Sequence, residues 1–171
     1  ADITRFELSG ETKTVEIDDE GTFTAPTVII AAGGKPRTLG LESEARFSGH
    51  GISYCATCDG DFFTDKEIVV VGGGNSALEE AVSLTKYASK VTVLHILDEF
   101  QAQPWAVDEA MKNPRVELFT NHSVKEFQGN DAGSLTRVVA ENTKTGETMT
   151  IPAEGTFVFI GYESNTNELR G

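Results

Sequence analysis

The feature that most constrains this chain is a change of hydrophobic period around three consecutive glycines. Residues 66–71 read as a strand buried on both faces, Gly72-Gly73-Gly74 as its turn, and Ala77, Leu78, Ala81, Val82, Leu84 and Thr85 fall at helical spacing within 75–88. Residues 90–94 then return to strand. Two strands joined through a helix lie parallel in one sheet. The turn has the form Gly-x-Gly-x-x-Ala, with Gly72, Gly74 and Ala77 at the fixed positions and Asn75 and Ser76 between them. In a strand-turn-helix setting the first glycine makes the tight turn and the second lets a pyrophosphate approach the backbone. The small Ala77 permits close packing of helix on strand, and the helix amino terminus attracts the anion. A purely structural strand-to-helix turn would use the same residues.

Around this unit the chain divides into two meanders. Residues 4–8 and 14–17 alternate, with turns at 9–11 and 18–21, and 22–24 offers a third strand. Residues 27–32 form an apolar run ending on Gly33-Gly34, the pattern of a strand buried on both faces. From 35 to 54 the pattern fades into prolines, glycines and mixed charge, which reads as a connection between units. Beyond the glycine unit, 98–111 reads as a short helix despite Pro104, and 116–120 as a strand. Segments 124–127, 135–140 and 147–151 alternate as an antiparallel meander, and 156–160 is a last buried strand.

Composition limits the function classes. Lys+Arg 14 against Asp+Glu 27 gives a formal charge of −13, the wrong sign for binding a nucleic-acid backbone. No apolar run approaches the roughly 20 residues of a membrane span, and no charged-then-apolar leader opens the chain, so a cytoplasmic protein is expected. The 2 cysteines are too few for a secreted disulfide framework, yet both fall in Cys55-Ala56-Thr57-Cys58-Asp59. Thiols at this spacing can close a small reversible disulfide, and Asp59 beside them could give or take a proton during exchange. The rival reading, half of a zinc site, needs two more ligands from His50, His95 or His122, and no second Cys-x-x-Cys or His-x₃-His supplies them. No metal is expected.

The end of the second strand is where a dinucleotide site selects its ribose chemistry. Here it reads His95-Ile96-Leu97-Asp98-Glu99-Phe100-Gln101, with no arginine for a 2′-phosphate and two acids that would repel one. His122 and Trp105 are given no role.

Taken in order, residues 27–37, Cys55-Ala56-Thr57-Cys58-Asp59-Gly60, Gly72-Gly73-Gly74-Asn75-Ser76-Ala77 and Phe159-Ile160-Gly161 with Asn165-Thr166 resemble the low-molecular-weight thioredoxin reductase family. The resemblance implies an α/β fold: a three-layer Rossmann-like nucleotide-binding domain with a central parallel sheet and an antiparallel β-meander, plus a partial flavin-domain segment. It places that segment at 1–50 and the pyridine-nucleotide-domain-like unit, carrying the Cys-x-x-Cys, at 51–171. It implies that FAD in the intact parent reduces the disulfide, that Cys58 faces the flavin, that Cys55 attacks a thioredoxin or thioredoxin-like disulfide, and that Asp59 is the acid/base. His95 and Gly161 join Gly72, Gly74, Asn75, Ser76 and Ala77 on the nucleotide side, and the parent is expected to be a homodimer.

Two departures qualify the resemblance. The family's amino-terminal FAD glycine fingerprint and carboxy-terminal Gly-Asp segment are absent, so the chain looks like an excised portion that should hold FAD poorly and not turn over by itself. NADPH-dependent members carry His-Arg-Arg-x-x-x-Arg after the second strand, whereas Ile96, Leu97 and Gln101 stand at the three arginine positions here. NADPH is therefore disfavoured; a ferredoxin-type donor ranks first and NADH second. Ser164 in place of the family's proline also alters the loop before Asn165-Thr166. The alternative function is a non-catalytic scaffold or docking module.

Overall fold

The computed structural model describes residues 2–166. It divides into two compact units, one made of the described residues of Ala1–Lys35 and Glu163–Gly171, the other of Pro36–Tyr162.

In the first unit Ile3–Glu7 (β1), Lys13–Ile17 (β2) and Gly21–Ala25 (β3) form the expected antiparallel meander in that order. Asp19 and Gly21 take positive φ in the second turn, which pairs Ile17 with Gly21. No side chain of these three strands is buried, and Phe23 lies half-exposed. The apolar run at 27–32 departs from expectation: it forms no ladder, and Ile29 is 93% exposed. A strand can be buried on both faces only between neighbours, and no described strand pairs with it. Where the chain leaves this unit and returns, Gly34–Pro36 (β4) and Tyr162–Ser164 (β13) form a two-stranded ladder.

The second unit holds both hydrophobic cores. The segment expected to be a plain connection contains a helix, Glu42–Phe47 (α1), and a two-residue strand, Ile52–Ser53 (β5). There follow the helical turn Ala56–Asp59 (α2), a 3₁₀ turn at Gly60–Phe63, the strand Glu67–Val71 (β6), the helix Asn75–Leu84 (α3) and the strand Lys90–Leu94 (β7). Pro104–Lys112 (α4) and Val116–Phe119 (β8) come next. Then come the meander His122–Gly129 (β9), Leu135–Asn142 (β10) and Thr148–Pro152 (β11), and finally Gly155–Val158 (β12). Helix α4 starts at Pro104 and not at 98. Proline suits the first helical turn, where its missing N–H would have had no partner.

The central sheet has the order β5-β12-β6-β7-β8, all pairs parallel. Period-2 alternation sends Ile68 and Val70 to one face, under Ala77, Leu78, Ala81 and Leu84 of α3. Val69 and Val71 go to the other, against Val124, Phe127, Val138 and Ala140 of the antiparallel sheet β11-β10-β9. The result is three layers. Helix α1 closes the second core with Phe47, and Ser43 Oγ accepts the Phe127 N–H at 3.0 Å. Residues 36–50 therefore pack within this unit. Strands β6, β7 and β8 step outward in one direction while β12 and β5 lie on the other side of β6. The gap between the carboxyl ends of β6 and β12 is a topological switch point, where open α/β sheets place ligands.

Candidate functional site

A cavity of about 700 Å³ opens at that switch point. Gly72, Gly74, Asn75, Ser76, His95 and Gly161, all singled out from sequence, line it. Ala77 does not; it is fully buried beneath the turn. The glycines divide the work. Gly72 has φ +143, and a Cβ there would fall 2.3 Å from the Phe159 carbonyl oxygen and 3.0 Å from Ala77 Cβ. A Cβ on Gly73 would fall 2.2 Å from His95 Nδ1. At Gly74 a Cβ would meet nothing within 4 Å, so the backbone there borders open space. No side chain caps the amino terminus of α3, which leaves the first-turn N–H groups facing that space for an anion.

The segment after β7 folds back over the turn. The Gln101 and Ala102 N–H groups donate to the Gly73 carbonyl at 2.8 and 3.1 Å, and the Gln103 N–H donates to Asn75 Oδ1 at 2.7 Å. His95 stacks on Phe100, and its Nε2 lies 3.1 Å from the Glu99 carbonyl. Burial pushes the His95 imidazole below its ordinary range, with the Glu99 carbonyl acting weakly the other way. Ile96, Leu97 and Gln101 line the mouth. Among the lining residues there is no lysine, arginine, aspartate or glutamate. Asp98 instead pairs with Lys144 on the surface at 3.6 Å.

These residues fit the phosphate and backbone requirements of a dinucleotide, since Gly74 offers an open cradle at an uncapped helix start. A 2′-phosphate would find no lysine or arginine among the lining residues. FAD is not accommodated in the same way: the other glycine pair, Gly33-Gly34, leads into a strand and not a helix, and a Cβ on Gly34 would meet the Glu163 carbonyl at 2.7 Å.

The second candidate site lies elsewhere in the unit. Cys55 and Cys58 form a disulfide across α2, with Cα atoms 5.3 Å apart. Cys58 is exposed, Cys55 and Asp59 are half-buried, and none of the three lines the cavity. Strand β5 leads directly into this turn. The Ser53 hydroxyl donates to Asp59 Oδ2 at 2.6 Å and accepts the Cys55 N–H at 3.0 Å. Tyr54 donates to Glu44 Oε1 at 3.0 Å, and burial, reinforced by that carboxylate, pushes its hydroxyl up to about 12. Among the described residues no group of three or more His, Cys, Asp or Glu side chains is placed to hold a metal ion. No described helix is long and apolar enough to cross a membrane.

Sequence reading overlooked two residues here. His122 lines the cavity because it follows β8, and the carboxyl ends of parallel strands converge on a switch point; that rule could have found it. Ser53 had no signal, since its role depends on the turn folding Asp59 back over it.

Residues 2–171 match the family described as "Pyridine nucleotide-disulphide oxidoreductase". The chain is 41% identical to a thioredoxin reductase of Mycolicibacterium smegmatis over 170 residues, 99% of this chain and 54% of that protein. The solved thioredoxin reductase of Streptococcus pyogenes MGAS5005 superposes with a TM-score of 0.83 at 41% identity, over 98% of this chain and 54% of that one. That of Lactococcus lactis does so with 0.87 at 34% identity, over 98% and 55%. The chain thus spans about half the length of the relatives it matches.

Proposed function

The chain belongs to the pyridine nucleotide-disulphide oxidoreductase family, and on that premise we propose that it is the dithiol-bearing part of a thioredoxin reductase-type enzyme. The observation that carries this reading is the Cys55–Cys58 disulfide on an exposed helical turn, with Asp59 immediately after it. Residues 1–50 correspond in this reading to a flavin-domain segment and 51–171 to the nucleotide domain. FAD would be held by parts of the longer protein outside these residues, and its chemistry when bound would be to supply reducing electrons.

What this chain's residues do follows from thiol chemistry. The Cys55 thiolate attacks one sulfur of a thioredoxin-like disulfide, forming a mixed disulfide and expelling the other sulfur as a thiolate, which takes a proton. The Cys58 thiolate then attacks Cys55 Sγ, breaks the mixed disulfide and releases the second thiolate, also protonated. Two electrons and two protons pass to the partner and Cys55–Cys58 is re-formed. Asp59 serves as a proton donor.

The donor in this reading is not NADPH. Each charge-assisted contact to a phosphate contributes on the order of 1.5 to 3 kcal/mol, and no cation lines the cavity to make one. The lining also lacks a carboxylate for a ribose 2′-hydroxyl, which supports a ferredoxin-type protein ahead of NADH. Two measurements on this chain test the proposal. Pre-reduced protein mixed with oxidised thioredoxin should deliver one dithiol equivalent; no transfer would refute the redox role and favour a scaffold. Calorimetric titration with NADPH should show no micromolar binding, and observing it would overturn the donor assignment.

A further inference from the structure

Ser53 occupies a position that thiol exchange at Cys55–Cys58 can use. It is buried, 6% exposed, and fixed in β5, which pairs with β12 through Phe157. Its hydroxyl has one proton and two lone pairs. The proton goes to Asp59 Oδ2 at 2.6 Å, while a lone pair takes the Cys55 N–H at 3.0 Å; the Cys55 carbonyl, at 3.3 Å, is the weaker of the two acceptors in reach. One hydroxyl thus ties the backbone of the first cysteine to the carboxylate after the second. The Asp59 N–H donates to the Cys55 carbonyl at 3.2 Å, so the four-residue turn is closed by backbone and by Ser53 together.

We propose that Ser53 is a positioning residue for the dithiol, donating to Oδ2 of the Asp59 carboxyl group and so leaving Oδ1 to carry the proton that the departing partner thiolate takes. This rests on the redox reading of Cys55, Cys58 and Asp59 given above. Without the hydroxyl, Asp59 is half-exposed and free to turn toward water. Ser53 touches no reacting atom and acts only through Asp59 and the Cys55 amide.

The chemistry of the leaving group separates positioning from general disruption. A dithiol that attacks an alkyl disulfide such as bis(2-hydroxyethyl) disulfide expels a basic thiolate and is helped by a proton donor. Attack on an aromatic disulfide such as 5,5′-dithiobis(2-nitrobenzoate) expels a weakly basic thiolate that departs unaided. In the reduced 171-residue chain, Ser53→Ala should slow oxidation by the alkyl disulfide about tenfold, the weight of one hydrogen bond to a charged group. Oxidation by the aromatic disulfide should change less than about twofold, since proton donation does not limit it. Ser53→Thr, which keeps the hydroxyl, should restore the alkyl rate, and Ser53→Ala added to Asp59→Asn should slow it no further. Equal slowing with both disulfides, or no slowing with either, would overturn the proposal while leaving the redox reading intact. An Asp59→Asn variant with an unchanged alkyl rate would instead remove the acid role of Asp59, and Ser53 with it.

Discussion

Replacing Gly72 and Gly74 by alanine, one at a time, should separate two functions that the sequence motif presents as one. At Gly72 the backbone has φ +143, a region that L-residues occupy at a cost of about 1 to 3 kcal/mol. The new Cβ would also fall 2.3 Å from the Phe159 carbonyl oxygen, which belongs to backbone and is pinned, because the Phe159 N–H donates to the Val71 carbonyl at 2.8 Å. Relieving an overpacked contact of this kind costs about another 1 to 3 kcal/mol. Gly72→Ala should therefore destabilise by about 2 to 6 kcal/mol, a large part of the roughly 5 to 15 kcal/mol that holds a domain folded. Gly74 has an extended backbone, φ −88 and ψ 179, and open space where its Cβ would project. Gly74→Ala should stay within about 1 kcal/mol of wild type. Chemical denaturation followed by far-ultraviolet circular dichroism reads both. If Gly74→Ala destabilised as much as Gly72→Ala, or Gly72→Ala were neutral, the geometric division of the turn would be refuted.

Further expectations concern the two candidate sites. In the longer protein that the proposed function implies, Cys55→Ser or Cys58→Ser should abolish steady-state thioredoxin reduction, and unchanged turnover with either would contradict the dithiol assignment. Introducing arginine at Ile96, Leu97 and Gln101 together should raise NADPH affinity at least about tenfold over NADH by calorimetry, since even one phosphate contact supplies that much. An affinity ratio left unchanged would mean that the mouth of the cavity does not meet a ribose phosphate. For His95, burial lowers the folded-state pKa beneath the ordinary 6.5, so the unfolded chain takes up that proton first as pH falls. Stability should therefore decline as pH drops below about 6.5. His95→Gln should lack that component in denaturation curves taken across the same range, and an identical slope in both proteins would show that the imidazole is not the source.

Much of the fold was legible because it rests on period. Residues 66–94 alternate, turn and coil according to side-chain spacing, and the structure returns the same parallel unit with Val69 and Val71 facing one core and Ile68 and Val70 the other. The meanders were legible for the same reason. The parts that were not depend on partners distant in sequence. Helix α1 spans only six residues and is held by Phe47 in the second core and by Ser43 at the Phe127 amide. Strand β5 exists because β12 pairs with it. Conversely, residues 27–32 carry the composition of a buried strand, but composition states a demand for neighbours without supplying them. The same holds at the dithiol: Cys55, Cys58 and Asp59 stand together in the sequence, while Ser53 reaches Asp59 only across the folded turn.

On the proposed reading, the fold separates what governs the donor from what governs thiol exchange, so that one could change without the other. The loop carrying Ile96, Leu97 and Gln101 is fixed mainly by its backbone, through the Gln101 and Ala102 amides on Gly73 and the Gln103 amide on Asn75. The side chains of Ile96 and Leu97 contribute little to that anchorage, being 56% and 44% exposed. Exchanging cations for the uncharged side chains of Ile96, Leu97 and Gln101 disturbs no core and no backbone bond, so such surface changes are expected to fall within about 0.5 kcal/mol. On the proposed reading the affinity they remove is much larger, because a phosphate bearing two charges meets no lysine or arginine among the lining residues. The disulfide depends on none of these residues. It is held by β5, Ser53 and the α2 turn, and neither cysteine lines the cavity. A chain of this fold can therefore lose an NADPH clamp at almost no structural cost and keep an intact exchange site, the combination that the proposed function assigns to this chain.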